Sequence, residues 1–495
     1  MTAMLARLSN RVLPSISTAM IPAYDRSRVS PGIVHLGTGA FHRAHQAVYV
    51  DDCLAAGDTG WGIIGASLRS PATRAALEPQ NGLYTLAVRG RDREQFRVIG
   101  SIVDFKVAPE APEDLLAILC NPLIRIVTLT VSEKAYLRNA GGDLDVSHPG
   151  VVADLANPGR AQTIFGFLAE AIARRRSAGL LPFTILCCDN LPSNGAVVSR
   201  LLQQFCTLRN KELTRYVEAE IACPSSMVDR IVPATTDEDR RRISEALGFE
   251  DAWPVVTEPF RQWVIEDRFT AGRPSWEAHG VTMVRDVAPF EEMKLRLLNG
   301  AHSSIAYLGL LLGRETVAQA FGDSRIRRFV QGLWAEAIPT LMSGAGPDPQ
   351  AYIAELAQRF DNPALVHRTA QIATDGSQKL PQRIVASAIA QFQAGRPAEH
   401  LALAIAAWMA AAKARGGTLP AGHFTDPLDQ KLTEIAHQRM TALDTVNAVF
   451  NCTGFAKDSV HRNRLAGLAA RHLETIRNGG AETALASLIP QEATP

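Results

Sequence analysis

Three polar residues, Lys294, Asn299 and His302, interrupt a stretch with almost no other polar face, residues 290–312 (FEEMKLRLLNGAHSSIAYLGLLL). Its apolar periodicity predicts one long, largely buried helix. At about 100° per residue, Asn299 and His302 share a face, and Lys294 lies about two turns earlier and about 80° from His302. Lysine is almost never fully buried without a partner, so one in this position requires a reason. Desolvation lowers a lysine pKa until the amine can act as a general base near neutral pH, with an amide and an imidazole hydrogen bonding to a substrate oxygen. The bland alternative makes Lys294 part of an exposed first turn, His302 a hydrogen-bonded core histidine, and Asn299-Gly300 a packing notch.

A second feature with chemical content is Gly37-Thr38-Gly39, which follows the short apolar run 32–36 (GIVHL) and precedes a predicted helix over 40–54. Strand, glycine turn and helix form the order that a dinucleotide fold requires. His42 replaces the third glycine of G-x-G-x-x-G, and any strand-to-helix turn can use two glycines. Further strands are expected at 61–68, 125–131 and 182–188, with helices at 163–176 and 195–208 between and after them. This alternation predicts an α/β fold with a doubly wound parallel sheet, which binds ligands beyond its strand C-termini. Ser132-Glu133-Lys134 and Asp189-Asn190 fall directly after two of those strands. From residue 287 onward helical periodicity prevails. The expected organisation is an N-terminal dinucleotide-binding domain over 1–285, with an irregular arm over 1–30, and a mostly helical substrate and catalytic domain over 286–495.

Composition narrows the function classes. At 495 residues the chain is too long for one core. Its 51 Lys+Arg against 50 Asp+Glu argue against nucleic acid or an anionic membrane surface as a partner. Seven cysteines without a CxxC pair suit free thiols in a reducing compartment, and neither a zinc set nor HExxH is present, so no metal is expected. The apolar run 401–412 is too short for a membrane span and is expected to be a core helix. The opening residues would also suit a transit peptide, but a cytoplasmic protein with an irregular arm is the preferred reading. None of the seven tyrosines has a lysine four residues on, which removes the tyrosine-lysine arrangement of short-chain dehydrogenases. For hydride transfer, a lysine flanked by an amide and an imidazole is the remaining proton handler.

Seven segments together resemble the long-chain mannitol dehydrogenase and mannonate oxidoreductase family of polyol-specific dehydrogenases: HLGTGAFHRAHQ (35–46), LTVSEKAY (129–136), CDNLPSNG (188–195), MVDRIVPAT (227–235), EPFRQWVIED (258–267), MKLRLLNGAHS (293–303) and DGSQKLPQR (375–383). The resemblance is nearer to the fructuronate reductase branch. It implies a Rossmann-type N-terminal domain, a helical C-terminal domain and an active site in a cleft between them. It further implies that Lys294 is the general acid/base, that Asn299 and His302 polarise the reacting oxygen, and that Glu133 passes protons to bulk water. Asn190 and Asp229 match positions around substrate and lysine, and Lys379 matches a substrate-binding lysine. Gln371 stands where mannitol dehydrogenases carry an arginine, which leaves Arg368 and Arg383 as candidates for a substrate carboxylate.

The cofactor implied is NAD, held by Gly37, Gly39, Ala40, Phe41, Arg69 and Asn190. NADP is a rival, because the end of the second strand carries Arg69-Ser70-Pro71-Ala72 and nearby Arg74 where an NAD fold usually has an acid. The expected reaction interconverts D-mannonate and D-fructuronate. Alternatives are D-mannitol/D-fructose or a related polyol pair and, in another class, a non-catalytic nucleotide or sugar sensor, which would be expected to have lost one of Lys294, Asn299 or His302. The expected assembly is a monomer or a small homo-oligomer.

Overall fold

The unbroken apolar runs form the strands of a central sheet in the computed structural model, which describes residues 5–139, 141–342, 346–414, 424–457 and 459–488. Across the sheet lie Ile102–Val107, Gly62–Ser67, Pro31–Leu36, Ile126–Leu129 and Thr184–Cys187, all parallel. In chain order this is third, second, first, fourth, fifth, the arrangement of a doubly wound dinucleotide fold. Alternate side chains point to opposite faces, and both sets are mainly apolar. Ile33, Ile63, Ile126 and Leu186 enter one core, while Val34, Ile64, Val127 and Ile185 enter the other. Burial on both faces is why all of these strands except Ile102–Val107 read as mostly apolar runs rather than as alternating patterns.

The chain divides into two units, Met1–Ala288 and Pro289–Pro495. Two small sheets complete the first unit. One combines Tyr84–Arg89, Glu94–Ile99 and Val255–Thr257, and the other combines Ser226–Asp229, Gln262–Glu266 and Thr282–Val284. The helix expected over 40–54 is interrupted: Ala40–Ala44 and Gln46–Ala55 meet at His45, whose φ of −127° and ψ of −86° break the helical path. The His45 ring is bonded to the Gln262 carbonyl at 2.8 Å, which ties the break to the second small sheet.

Among its described residues the second unit is helical, with one large core that includes Leu297, Ile305, Leu333, Trp408 and Leu465. The 401–412 run lies within the core helix Glu399–Ala414, with Leu401 through Trp408 at most 1% exposed. Among the described residues no helix is long and apolar enough to cross a membrane.

The stretch over 290–312 departs from the single α-helix expected. Ala288–Met293 leads into a π-helical segment, Lys294–Asn299, and the α-helix resumes at Gly300–Leu311. The Gly300 amide reaches back to the Leu295 carbonyl, a bond over five residues instead of four. Leu297's carbonyl accepts the indole N–H of Trp334 at 2.9 Å, so a side chain from another helix enters the ladder. A second π segment, Pro381–Val385, packs against the first. Pro381 can offer no N–H to a regular helical ladder, and Gly300 admits the approach: a Cβ there would stand 3.0 Å from the Arg383 carbonyl.

Candidate active site

The strand C-termini of the first unit open onto a pocket of about 310 Å³. Its floor is the Gly37-Thr38-Gly39 turn. Gly37 has a φ of +99°, and a Cβ there would meet the Thr130 carbonyl oxygen at 2.0 Å, so only glycine makes this turn. Gly39 is different: it has an ordinary φ of −83°, and its nearest neighbour to a Cβ is Gly37 O at 3.8 Å. The first glycine serves the turn, and the second leaves room for a ligand to approach the backbone. His42 does not crowd this space, because its ring is buried against His35 at 3.4 Å between centroids. Ala40 and Phe41 open the short helix, and Phe41 stacks on His45 at 5.1 Å.

Arg69, Arg74 and Lys106 line the same pocket, and no carboxylate does so among the described residues. Arg74 pairs with Glu110 at 2.8 Å and Lys106 with Asp104 at 2.7 Å, whereas Arg69 is exposed. This donor set fits a dinucleotide, with open backbone for a diphosphate and cations for an anionic group near the second strand.

Glu133 is exposed on the 3-10 turn Glu133–Tyr136, between the pocket-lining Ser132 and Ala135. Asn190 is exposed just past Thr184–Cys187. Asp229 is 4% exposed at the end of its strand, opposite Gln262. Its neighbour Arg230 donates to the backbone carbonyls of Ala44 and Glu258. Asp189 does not cap the following helix, whose N-cap is Ser193 in a left-handed conformation. It accepts instead from the Val131 amide at 3.0 Å and from the Tyr136 hydroxyl, tying down the loop that borders the pocket. Burial raises its pKa to about 6 against the pull of those two bonds, and the charge of Glu133 pushes the same way as burial.

In the second unit Lys294, Asn299 and His302 are 8%, 7% and 8% exposed, so none belongs to an exposed first turn. A uniform α-helical step would separate Lys294 from Asn299 by about 140°. The π segment turns through a smaller angle per residue, which brings the amine nearer to the face that carries the amide. His302 follows three α-helical residues on, along the same face. Asn299 Nδ2 and His302 Nε2 are buried without a hydrogen-bond partner among the described residues, an arrangement native cores rarely leave unexplained. Burial, with the charges of His367, Arg383, Arg359 and Lys379, holds His302 well below the usual histidine range, so its ring is neutral. The ring lies on Phe360 at 5.4 Å and meets His367 edge-on at 4.6 Å.

Lys379 is half-buried and donates to the Thr374 carbonyl at 2.6 Å. The two arginine candidates separate. Arg368 is exposed and lies 3.7 Å from Glu315, while Arg383 is half-buried and donates from Nη1 to Ser303 Oγ at 3.0 Å. Ser303, His367 and the pocket cation Lys106 were not singled out by the sequence. Ser303 meets its partner across 80 positions, and no local pattern signals such a pairing.

A doubly wound sheet with a glycine turn, carried in one chain with a helical unit that holds a buried amine, amide and neutral imidazole, has the parts that an oxidoreductase acting on CH–OH groups needs, and the comparisons with known proteins agree with that class. The Mannitol dehydrogenase Rossmann domain family matches residues 31–278, and the Mannitol dehydrogenase C-terminal domain family matches 286–477. The chain belongs to the mannitol dehydrogenase family of long-chain polyol dehydrogenases. It is 39% identical to the D-mannonate oxidoreductase of Escherichia coli K12 over 477 residues, covering 94% of this chain and 97% of the relative. It is 38% identical to the mannitol 2-dehydrogenase of Cereibacter sphaeroides over 471 residues, covering 94% and 97%. The solved ternary complex of Pseudomonas fluorescens mannitol 2-dehydrogenase with NAD and D-mannitol matches with a TM-score of 0.86 at 35% identity, covering 97% of this chain and 99% of that one.

Proposed function

We propose that this chain oxidises a sugar acid or polyol reversibly with NAD, D-mannonate to D-fructuronate first, through Lys294 as general base. The observation that supports the proposal is the π turn, which carries Lys294 and Asn299 in one buried segment, while Asn299 Nδ2 and His302 Nε2 lie buried without partners among the described residues. When bound, NAD supplies a hydride acceptor at its nicotinamide ring. Lys294 takes the proton of the substrate hydroxyl as the hydride leaves, and returns one when a ketone is reduced. Asn299 Nδ2 donates to the same oxygen, and neutral His302 stabilises the developing charge without competing for the proton. Glu133 exchanges the proton with water, Asn190 and Asp229 position substrate and lysine, and Lys379 holds a substrate oxygen. Gly37, Gly39, Ala40 and Phe41 would hold the diphosphate of NAD, and Arg69, which lines the same pocket, would serve its adenosine ribose.

D-mannitol is the second reading, favoured by the mannitol 2-dehydrogenase relative and by the complex with D-mannitol. A non-catalytic sensor is disfavoured by retention of all three site residues. The test is turnover of D-mannonate and D-mannitol with NAD, in the native enzyme and in Lys294→Ala. Loss of about 10²- to 10⁴-fold in kcat is expected on removing a positioned proton carrier. Retention of most turnover in Lys294→Ala would remove the proposed role.

A further inference from the structure

Among the described residues Arg383 has a serine hydroxyl as a partner and no carboxylate within ion-pair distance. A half-buried guanidinium keeps its charge and five donors, and such a group is expensive to leave without an anion. Other cations share its neighbourhood: the charges of Arg383, Arg359 and Lys379 all bear on the His302 ring, while Asp375 and Asp426 act with Arg383 on Tyr307. Arg383 also stands on the π segment that packs against the segment carrying Lys294, and its Nη1 bond goes to Ser303, the residue after His302. The guanidinium is therefore anchored by one nitrogen on the residue after His302, with donors left over for a substrate group away from the reacting oxygen. Arg368, the other candidate, is exposed near Glu315.

We infer that Arg383 is the specificity-determining residue that reads the carboxylate of an acidic sugar, accepting it in preference to the CH₂OH of a neutral polyol. The inference rests on the proposed dehydrogenase reading and names the substrate class at that site. A carboxylate matches the planar fork of arginine with two parallel charge-assisted bonds, which a hydroxymethyl group cannot form.

The measurement is kcat/KM for D-mannonate and for D-mannitol with NAD, which differ at one carbon, in the native enzyme, Arg383→Leu, Arg383→Lys and Arg368→Leu. Where one substrate turns over too slowly, its inhibition constant replaces kcat/KM. Arg383→Leu is expected to lower the mannonate-to-mannitol ratio by roughly 30-fold or more, mainly through KM. Arg383→Lys, which keeps the charge but loses the fork, is expected to fall between, and it carries the test if the leucine variant does not fold. A ratio within threefold of native in both Arg383 variants overturns the inference and leaves the dehydrogenase reading standing. So does a selectivity change produced by Arg368→Leu in their place. A native enzyme that oxidises D-mannitol but not D-mannonate overturns the acidic-substrate reading and the inference together.

Discussion

The two glycines of the phosphate turn predict opposite phenotypes on replacement by alanine. At Gly37 the backbone lies at a φ of +99°, where an L-residue costs about 1–2 kcal/mol. The added Cβ would also lie 2.0 Å from the Thr130 carbonyl oxygen, well inside contact distance, and overpacking of this kind costs about 1–3 kcal/mol more. Movement gives little relief. The Gly37 amide donates to Ala66 O at 2.9 Å, and its carbonyl accepts from Gly39 N at 2.6 Å and from Thr130 Oγ1 at 2.8 Å. Gly37→Ala should therefore destabilise the unit by about 2–5 kcal/mol, a fall in Tm of roughly 5–15 °C. Gly39→Ala meets no neighbour within 3.8 Å and needs no unusual φ, so its stability should stay within about 0.5 kcal/mol of native. Its methyl group enters the space where a diphosphate approaches the backbone, and NADH affinity should fall by about tenfold or more. Thermal melts with and without NADH, together with calorimetric titration, separate the two effects. Native-like NADH binding by Gly39→Ala, or a native-like melt of Gly37→Ala, would refute the division of labour.

Oxidation needs Lys294 as the free amine, so its rate should decline as pH falls, while ketone reduction, which needs the protonated form, should persist to lower pH; identical profiles in the two directions would count against the lysine. Asp189, with a pKa raised to about 6 from 3.8, binds its proton more tightly in the folded chain, so it favours folding below about pH 4 and loses that contribution as pH rises through 6. Asp189→Asn should accordingly flatten the dependence of Tm on pH between about 4 and 6, and an unchanged slope would assign that dependence elsewhere. Arg69→Asp should lower the NADP-to-NAD ratio of kcat/KM by roughly five- to tenfold, as expected for a charge exposed to solvent; a ratio that does not move would place the 2′-phosphate away from Arg69.

Legibility from sequence followed burial. Ile126–Leu129 and Thr184–Cys187 are buried throughout, so apart from the hydrogen-bonded Thr128 and Thr184 their residues are apolar and the runs were visible. Ile102–Val107 was missed because it is only partly buried, and the half-buried Asp104 and Lys106, which pair with each other, break the run. The kink at His45 came from a partner over 200 positions away, the Gln262 carbonyl, which no window around residues 40–54 contains. At the candidate site the residue types were legible and their alignment was not. Lys294, Asn299 and His302 stood out as polar letters in an apolar stretch, yet a uniform helical step misplaced the lysine. The wider turn depends on Trp334 and on the segment at Pro381–Val385, both remote in the chain.

The nesting of the two wide turns carries a consequence for descent. Each accommodates the other through one bare α-carbon, Gly300, set against the main chain of Arg383. A lineage that straightened one of them by losing a residue would leave its partner bulging into nothing, so inheritance should keep both or discard both. A natural relative with one regular helix and one widened turn at these places would show that the two are independent.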